Sequence, residues 1–337
     1  MTKRRKLLLT VLLLGVCLLL ALPIQLLTPC TRFTEDVRYV YIYPGQTETD
    51  VRHQLAEQGV RRMAGFILLD KTLGYKVRPG RYAVRKADNM LSLFRRLRNG
   101  QQEPVNLTIP TVRTMDRLSG YLSQHLMLDS AQVIQAFTDE AFLAQYAYTT
   151  QTLPALFIPN TYQVYWTVTL DDFMQRMQHE NQAFWNGERD NKAKALNMSH
   201  EEVVTLASII DEETANNGEK PMVAGMYINR LHQQMPLQAD PTVKFAIGDF
   251  SLRRIYQKHL TIDSPYNTYR NTGLPPGPIR IASIAGIDAV INYVHHDYLY
   301  MCAKEDFSGT HNFARTYSEH LQNARRYTQA LNQRNIK

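Results

Sequence analysis

The feature that most constrains this chain lies at its N-terminus, where a basic tetrapeptide precedes a long apolar run. Lys3–Lys6 carry four positive charges, and the 21 residues of Leu7–Leu27 contain no charged side chain. As a helix with a rise of about 1.5 Å per residue, this run is about 30 Å long, the thickness of the hydrocarbon core of a bilayer. We expect a single transmembrane helix over residues 7–27, with residues 1–6 in the cytoplasm and the remainder outside the cytoplasmic membrane.

A cleaved secretory signal peptide is the main alternative to a retained anchor. The run is long for the apolar region of a signal peptide, and no small-residue cleavage site follows it. Both alternatives place residues 31–337 on the outer side of the cytoplasmic membrane. The sequence therefore predicts that residues 31–337 lie outside the cytoplasmic membrane, on the periplasmic side.

Charge and cysteine content exclude several classes of function. The chain has 337 residues and a net charge of +7, and four of the positive charges belong to the N-terminal tetrapeptide. The net positive charge is thus partly a feature of membrane targeting, and we expect no nucleic-acid partner. Outside the apolar run only Cys30 and Cys302 are cysteines, and they belong to no metal-ligand pattern. We expect no metal and no other cofactor.

The remainder of the chain divides into two predicted domains. Residues 31–104 combine a β-rich segment, Val37–Tyr43, two helical segments within residues 47–73, and a strand or hairpin at Val77–Val84. This order resembles a LysM-like module, a binder of N-acetylglucosamine polymers, with a plain spacer domain as the alternative. Residues 105–337 begin with a β-type segment and continue mostly as helices. We expect a mixed α+β fold for this second domain.

The segment most informative about chemistry is the helix predicted to begin near Glu201. Val203, Leu206 and Ile210 fall on one face of this helix, and at about 100° per residue Glu213 returns to that face. A carboxyl group that continues an apolar stripe is partly desolvated, which raises its pKa and suits it to protonate a glycosidic oxygen. On this pattern alone, a solvated acidic helix end remains the alternative for residues 211–213.

A second informative segment, residues 264–279, combines aromatic rings, amides and hydroxyls with a Gly/Pro-rich loop. Sugar-binding clefts need such groups, because rings stack on the apolar faces of pyranoses while amides and hydroxyls match the ring hydroxyls. Without other support, such a loop is as consistent with a simple surface loop.

Six ordered segments resemble those of the MltG/YceG-like endolytic murein transglycosylases. They extend over much of residues 105–330: Phe157–Tyr162, Leu206–Thr214, Val223–Leu231, Leu237–Val243, Tyr266–Ile279 and Gly309–His320. The resemblance implies a lytic transglycosylase that cleaves the MurNAc–GlcNAc β-1,4 bond without water and leaves a 1,6-anhydroMurNAc end, terminating nascent glycan strands. It also implies an anchor and a LysM-like module ahead of the catalytic domain.

The catalytic glutamate of that family falls in a short acidic motif, which here is Asp211-Glu212-Glu213 where relatives usually have Glu-Lys-Glu. Helical phase and the family pattern both favour Glu213 as the acid–base catalyst, and Asp211 is the fallback. The candidate substrate-binding residues are Gln238, Asp240, Tyr266, Asn267, Thr268, Tyr269 and His311. For His311, structural hydrogen bonding is the alternative to substrate contact.

Two other functions remain open at this stage. A muramidase-type hydrolase would need a second carboxylate, for which Asp240 is the candidate, although Asp240 before Pro241 is equally consistent with a turn or cap residue. A non-catalytic scaffold that binds the cell wall is the other alternative. The expected partners are peptidoglycan glycan strands, the cytoplasmic membrane and, from the resemblance alone, glycan-polymerising synthases.

Overall fold

The structure is a computed structural model that describes residues 21, 23–252 and 254–334. Most of the predicted transmembrane run, Leu7–Leu27, lies outside the described residues, and of its last part residues 23–27 are helical. Within the described ranges, the structure contains no helix that is both long enough and apolar enough to cross a membrane.

Helices outnumber strands in the described part of the chain. The strands are β1 Val37–Ile42, β2 Gly80–Arg85, β3 Val105–Thr108, β4 Thr161–Val164, β5 Tyr300–Ala303 and β6 His311–Ala314. The helices are α1 Glu48–Glu57, α2 Met63–Leu73, α3 Met90–Arg98, α4 Met115–His125, α5 Ser130–Thr138, α6 Glu140–Ala144, α7 Leu170–Phe184, α8 Glu188–Ala195, α9 His200–Glu213, α10 Lys220–His232, α11 Asp240–Ile247, α12 Ile284–Ile291 and α13 Tyr317–Gln333. The strands pair as β1–β2, β3–β4 and β5–β6. The mixed α+β character predicted from the sequence is confirmed.

The chain folds into two compact units. The first contains the residues up to Leu107 together with the segments 125–127 and 163–168, and the second contains residues 108–124, 128–162 and those from Thr169 onward. The chain therefore changes from one unit to the other five times, once within β3 and once within β4.

The first unit is built on the antiparallel pair β1–β2, with α1 and α2 between the two strands along the chain. The register runs from Val37 opposite Arg85 to Ile42 opposite Gly80. The pair begins after Pro79, because proline cannot donate a ladder hydrogen bond. Helix α3 buries its apolar face, formed by Met90, Leu93, Phe94 and Leu97, against the same core.

Helix α9 lies at the centre of the second unit. It begins with a capping box formed by Ser199 and Glu202, and every residue from Val203 to Ile210 is buried. Helices α10, α11 and α12 all contact it. Helix α12 approaches closely at Gly286, where a Cβ atom would lie 2.6 Å from an Asp211 carboxylate oxygen, so no larger residue fits without a shift. This packing fixes the direction of the last turn of α9.

Candidate active site

Glu213 is the last residue of α9 and lines a polar cleft of about 180 Å³. The next residue, Thr214, leaves the helix in an extended conformation. The other walls come from helix α10, the segment before α11 and its first residue, the 264–279 loop and β5. They are formed by Met226, Tyr227, Arg230, Leu237, Gln238, Asp240, Tyr269 and Met301. Glu213 itself is half-buried, with its carboxyl group toward this space.

The surroundings of Glu213 favour its neutral form. Burial raises the pKa of this carboxyl from 4.5 to about 7, and the negative charge of Asp240 acts in the same direction. The Tyr227 hydroxyl, which donates a hydrogen bond to Glu213 Oε1 at 2.9 Å, opposes this shift in pKa. The charges of His311 and Lys244 also oppose it. Near pH 7 the group is thus divided between its acid and its carboxylate form.

Two tyrosine–carboxylate pairs line the cleft. Burial and the adjacent Glu213 raise the pKa of Tyr227 well above its ordinary value, so this phenol remains a donor. The hydroxyl of Tyr269 donates to Asp240 Oδ1 at 2.6 Å, and burial followed by this bond raises the pKa of Tyr269. Asp240 is exposed to the cleft, at the first turn of α11.

Arg230 holds one wall of the cleft in place. Its side chain is buried, with Nε donating to the carbonyl of Leu299 at 2.6 Å and Nη1 to that of Leu237 at 2.7 Å. These bonds tie α10 to the segments that lead into β5 and α11. Since a guanidinium stays protonated in proteins, Arg230 also brings a positive charge to the cleft.

The two acids that precede Glu213 are fully engaged elsewhere. Asp211 accepts hydrogen bonds from the backbone N–H and the hydroxyl of Ser283, at 2.6 and 2.8 Å, and pairs with Lys220 at 2.7 Å. Glu212 pairs with Arg113 and Arg280 at 2.7 and 2.9 Å. Burial opposes ionisation of Glu212, but these two arginines outweigh it and lower its pKa. Neither acid lines the cleft.

The predicted substrate-binding residues take several positions. Gln238, Asp240 and Tyr269 line the cleft with Glu213. Asn267 and Thr268 are buried: the Asn267 amide donates to the carbonyls of Leu260 and Ile262, and the Thr268 hydroxyl accepts from the Ala239 N–H. The Thr268 side chain thus holds the loop against the segment that carries Gln238 and Asp240, whereas the Asn267 side chain ties the loop to residues 260–262.

Tyr266 and His311 are not among the residues that line the cleft. The ring of Tyr266 packs on that of Phe245, with centroids 4.7 Å apart. His311 binds the buried Glu219 twice, through its backbone N–H at 2.6 Å and its ring Nδ1 at 2.9 Å. Glu219 also accepts from the hydroxyl of Thr214, so His311 is linked to the residue that follows Glu213.

Sequence reasoning missed Tyr227 and Arg230 as cleft residues. Tyr227 falls on the apolar face of α10 with Val223 and Met226, and a buried tyrosine needs a partner for its hydroxyl. That requirement was the available signal. The described residues contain no group of three or more His, Cys, Asp or Glu placed to hold a metal ion.

Fold and site together define a class: a mixed α+β protein in which a buried central helix ends at a glutamate of raised pKa, opposite a tyrosine–aspartate pair. The chain belongs to the YceG-like family, whose sequence profile matches residues 40–326. The family predicted from the six sequence segments is thereby confirmed.

Three similar proteins illustrate the extent of the match. The endolytic murein transglycosylase of Bacillus subtilis (strain 168) is 36% identical over 166 residues, which are 49% of this chain and 45% of that protein. The protein of the same name from Streptococcus pneumoniae (strain R6) is 28% identical over 260 residues, covering 67% of this chain and 46% of the relative. The chain thus spans less than half the length of these curated relatives.

The crystal structure of a yceG-like protein from Listeria monocytogenes has the same fold. It superposes with a TM-score of 0.58 at 27% identity, and the match covers 86% of this chain and 99% of that one.

Proposed function

We propose that the protein is an endolytic lytic transglycosylase of peptidoglycan. It cleaves the MurNAc–GlcNAc β-1,4 bond, leaves a 1,6-anhydroMurNAc end and terminates nascent glycan strands. The single observation that carries this proposal is the carboxyl of Glu213, which lines the cleft and has a pKa of about 7. Membership of the YceG-like family supports it, as does the similarity to proteins named endolytic murein transglycosylase.

The reaction needs one carboxyl group that first gives and then takes a proton. Protonated Glu213 donates to the glycosidic oxygen as the oxocarbenium-like state develops, and this breaks the bond between the sugars. The resulting carboxylate accepts the proton of the C6 hydroxyl, whose oxygen attacks the anomeric carbon and closes the 1,6-anhydro ring. A pKa near 7 suits both steps, because neither form of the acid is costly at neutral pH.

The neighbouring groups have distinct roles in this mechanism. Tyr227 donates to Glu213 Oε1 and so stabilises the carboxylate formed in the first step. Gln238, Asp240 and Tyr269 hold the sugars, and the negative Asp240 also stabilises positive charge that develops at the anomeric carbon. Asn267, Thr268, Tyr266 and His311 act by holding the loop and the strand around the cleft, rather than by the direct sugar contact expected from the sequence.

A muramidase-type hydrolase is the second candidate, because Asp240 lines the same cleft. A hydrolase needs a second carboxylate to activate water or to attack the sugar. The bond of 2.6 Å from Tyr269 occupies one oxygen of Asp240 and favours a positioning role over a nucleophilic one.

Digestion of purified glycan strands by the full-length protein in detergent tests the proposal. Mass spectrometry should find anhydro ends, one water molecule lighter than a reducing end and resistant to borohydride. Glu213→Gln should abolish the products, and Glu201→Gln, an equivalent change at the other end of the same helix, should retain them. Reducible ends would identify a hydrolase. Unchanged wall binding and cellular phenotype in Glu213→Gln would identify a non-catalytic scaffold.

We also propose the setting of this activity in the envelope. The basic tetrapeptide and the apolar run support a single-pass anchor over Leu7–Leu27, with the N-terminus in the cytoplasm. The order β1–α1–α2–β2 with antiparallel strands supports a LysM-like module within residues 31–104, followed by a catalytic domain over residues 105–337. Association with glycan-polymerising synthases rests on the resemblance, and a pull-down from native membranes that recovers no synthase would count against it.

A further inference from the structure

A second, smaller cavity lies beside the cleft in the second unit. It measures about 50 Å³ and is lined by Arg113, Glu212, Pro241, Lys244, Phe245, Phe250 and Ile279; we call it the flank pocket. Two pairs of consecutive residues each contribute one residue to each cavity. Glu212 lines the flank pocket and Glu213 the cleft, while Pro241 lines the flank pocket and Asp240 the cleft. A ligand in the cleft is therefore within reach of the flank pocket.

The flank pocket carries an excess of positive charge. The single carboxylate of Glu212 is shared by two guanidinium groups, those of Arg113 and Arg280. Lys244 adds a further charge, and it takes part in no ion pair that the structure records for residues 23–252 and 254–334. Its charge is felt by Glu213, whose pKa it lowers. Arg113 and Lys244 thus give the lining of the pocket one positive charge more than Glu212 balances, and Arg280, which pairs with Glu212 from outside the lining, adds another. The pocket also lies within electrostatic range of the candidate acid.

The remaining walls of the flank pocket are aromatic. The guanidinium of Arg113 lies 5.4 Å from the ring centre of Phe250, which is 6.3 Å from that of Phe245. The ring of Tyr266 packs on that of Phe245, at 4.7 Å between ring centres. A volume of 50 Å³ has room for a few water molecules or for one carboxylate with its adjoining carbons, and is too small for a pyranose ring.

We propose that the flank pocket binds a carboxylate of an acidic peptide attached to the glycan in the cleft, and so gives the enzyme a preference for peptide-bearing strands. Lys244 and Arg113 pair with the carboxylate, and Phe245 and Phe250 cover its apolar stem. This inference rests on the proposed function, because the glycan in the cleft is what carries the peptide.

Two substrates of equal glycan length test the selectivity, one bearing its peptides and one stripped of them by an amidase. The unchanged protein should cleave the peptide-bearing strand with a kcat/KM about tenfold higher, as expected for a partly buried charge pair. Lys244→Gln and Phe250→Ala should each bring the ratio of the two kcat/KM values close to one. Lys194→Gln, which removes an exposed lysine of the same unit, should keep the ratio. A ratio near one in the unchanged protein, or a ratio unaffected by Lys244→Gln, would overturn the proposal.

A binding measurement separates failure of this inference from failure of the proposed function. Calorimetry with the Glu213→Gln protein compares a disaccharide that carries a free acidic peptide with the same compound after its carboxylates are amidated. The free acid should bind about tenfold more tightly, and the additional change Lys244→Gln should remove the difference. Selective binding without glycan cleavage by the unchanged protein would reject the enzyme activity and retain the pocket. Equal binding of both probes would reject the pocket, whatever the activity.

Discussion

The two sides of the last turn of α9 carry the same type of side chain in opposite surroundings. On one side, Asp211 and Glu212 are half-buried and pair with countercharges, Lys220 for the first and two arginines for the second. On the other side, Glu213 has a tyrosine hydroxyl as its hydrogen-bond donor and a negative aspartate nearby. Of these three consecutive acids, Asp211 and Glu212 thus have ion-pair partners, whereas Glu213 forms no ion pair that the structure records within residues 23–252 and 254–334.

This difference separates structural from chemical roles. The two arginines beside Glu212 lower the pKa of that carboxyl, so it is held in its ionised form and has no proton to give. A carboxyl that is partly removed from water and forms no ion pair retains its proton at higher pH, and such groups cluster at functional sites. Glu213 is therefore the acid of this turn that can exchange a proton near neutral pH.

The largest expected effect is on catalysis. Glu213→Gln removes the proton donor and should lower kcat for glycan cleavage by about 10²- to 10⁴-fold, the usual contribution of general acid–base catalysis. The fold should be retained, because the amide can still accept from Tyr227 and is no more polar than the neutral acid. Initial rates and circular dichroism check both expectations. Full activity in Glu213→Gln would contradict the chemical role that distinguishes Glu213 from Asp211 and Glu212.

On the side of the turn that carries Asp211, a substitution should affect the stability of the protein rather than catalysis. Asp211→Asn leaves the buried ammonium of Lys220 without its countercharge and should destabilise the protein by about 3–5 kcal/mol, the usual cost of breaking a buried ion pair. Urea unfolding at pH 7 measures this change in the free energy of unfolding. A loss below about 1 kcal/mol, combined with loss of activity in the folded protein, would instead indicate a chemical role for Asp211.

The pH dependence of stability should differ in sign between neighbouring acids. The folded-state pKa of Glu213 is raised to about 7 from 4.5, so the protonated carboxyl stabilises the fold at low pH. This contribution to the free energy of unfolding is lost as the pH rises from about 4.5 to 7. Glu213→Gln should therefore gain about 1–3 kcal/mol relative to the unchanged protein between pH 4 and pH 8. The pKa of Glu212 is lowered, so its contribution is present above its unfolded-state value and is lost at acid pH. Glu212→Gln should be destabilising at pH 8 and less so in acid. The same sign for both variants would contradict the contrast.

The smallest expected effect concerns the hydroxyl that opposes the raised pKa of Glu213. Tyr227→Phe removes the hydrogen bond to Oε1 and should raise this pKa further. The alkaline limb of the pH–rate profile should therefore move to higher pH, and kcat should fall by about threefold to tenfold. Movement of that limb to lower pH would mean that Tyr227 does not stabilise the carboxylate of Glu213.

The sequence predicts the central helix of the site well, because its signal is local. Helical phase relative to Val203, Leu206 and Ile210 indicates the inward direction of Glu213 without tertiary information. The segment predicted as a strand or hairpin at Val77–Val84 begins as a strand only at Gly80, since Pro79 cannot join the ladder.

The rest of the cleft depends on packing between distant segments. Asn267, Thr268 and Tyr269 are consecutive, yet only the third lines the cleft, because the path of the loop sets the direction of each side chain. Tyr227 and Arg230 reach the cleft because α10 packs closely at Gly225, where a Cβ atom would lie 2.3 Å from the carbonyl oxygen of Val294. No periodicity in the sequence encodes these contacts between distant segments.

The most direct measurement is a titration of Glu213 itself. Protein labelled with carbon-13 at the glutamate carboxyl groups is followed by nuclear magnetic resonance from pH 3 to 9, and the spectrum of Glu213→Gln assigns the signal. We predict a midpoint of about 7 for Glu213 and a midpoint below the ordinary glutamate value for Glu212. A midpoint for Glu213 at the ordinary value of 4.5 would contradict the account, because the cleft would then contain no acid that keeps its proton at neutral pH.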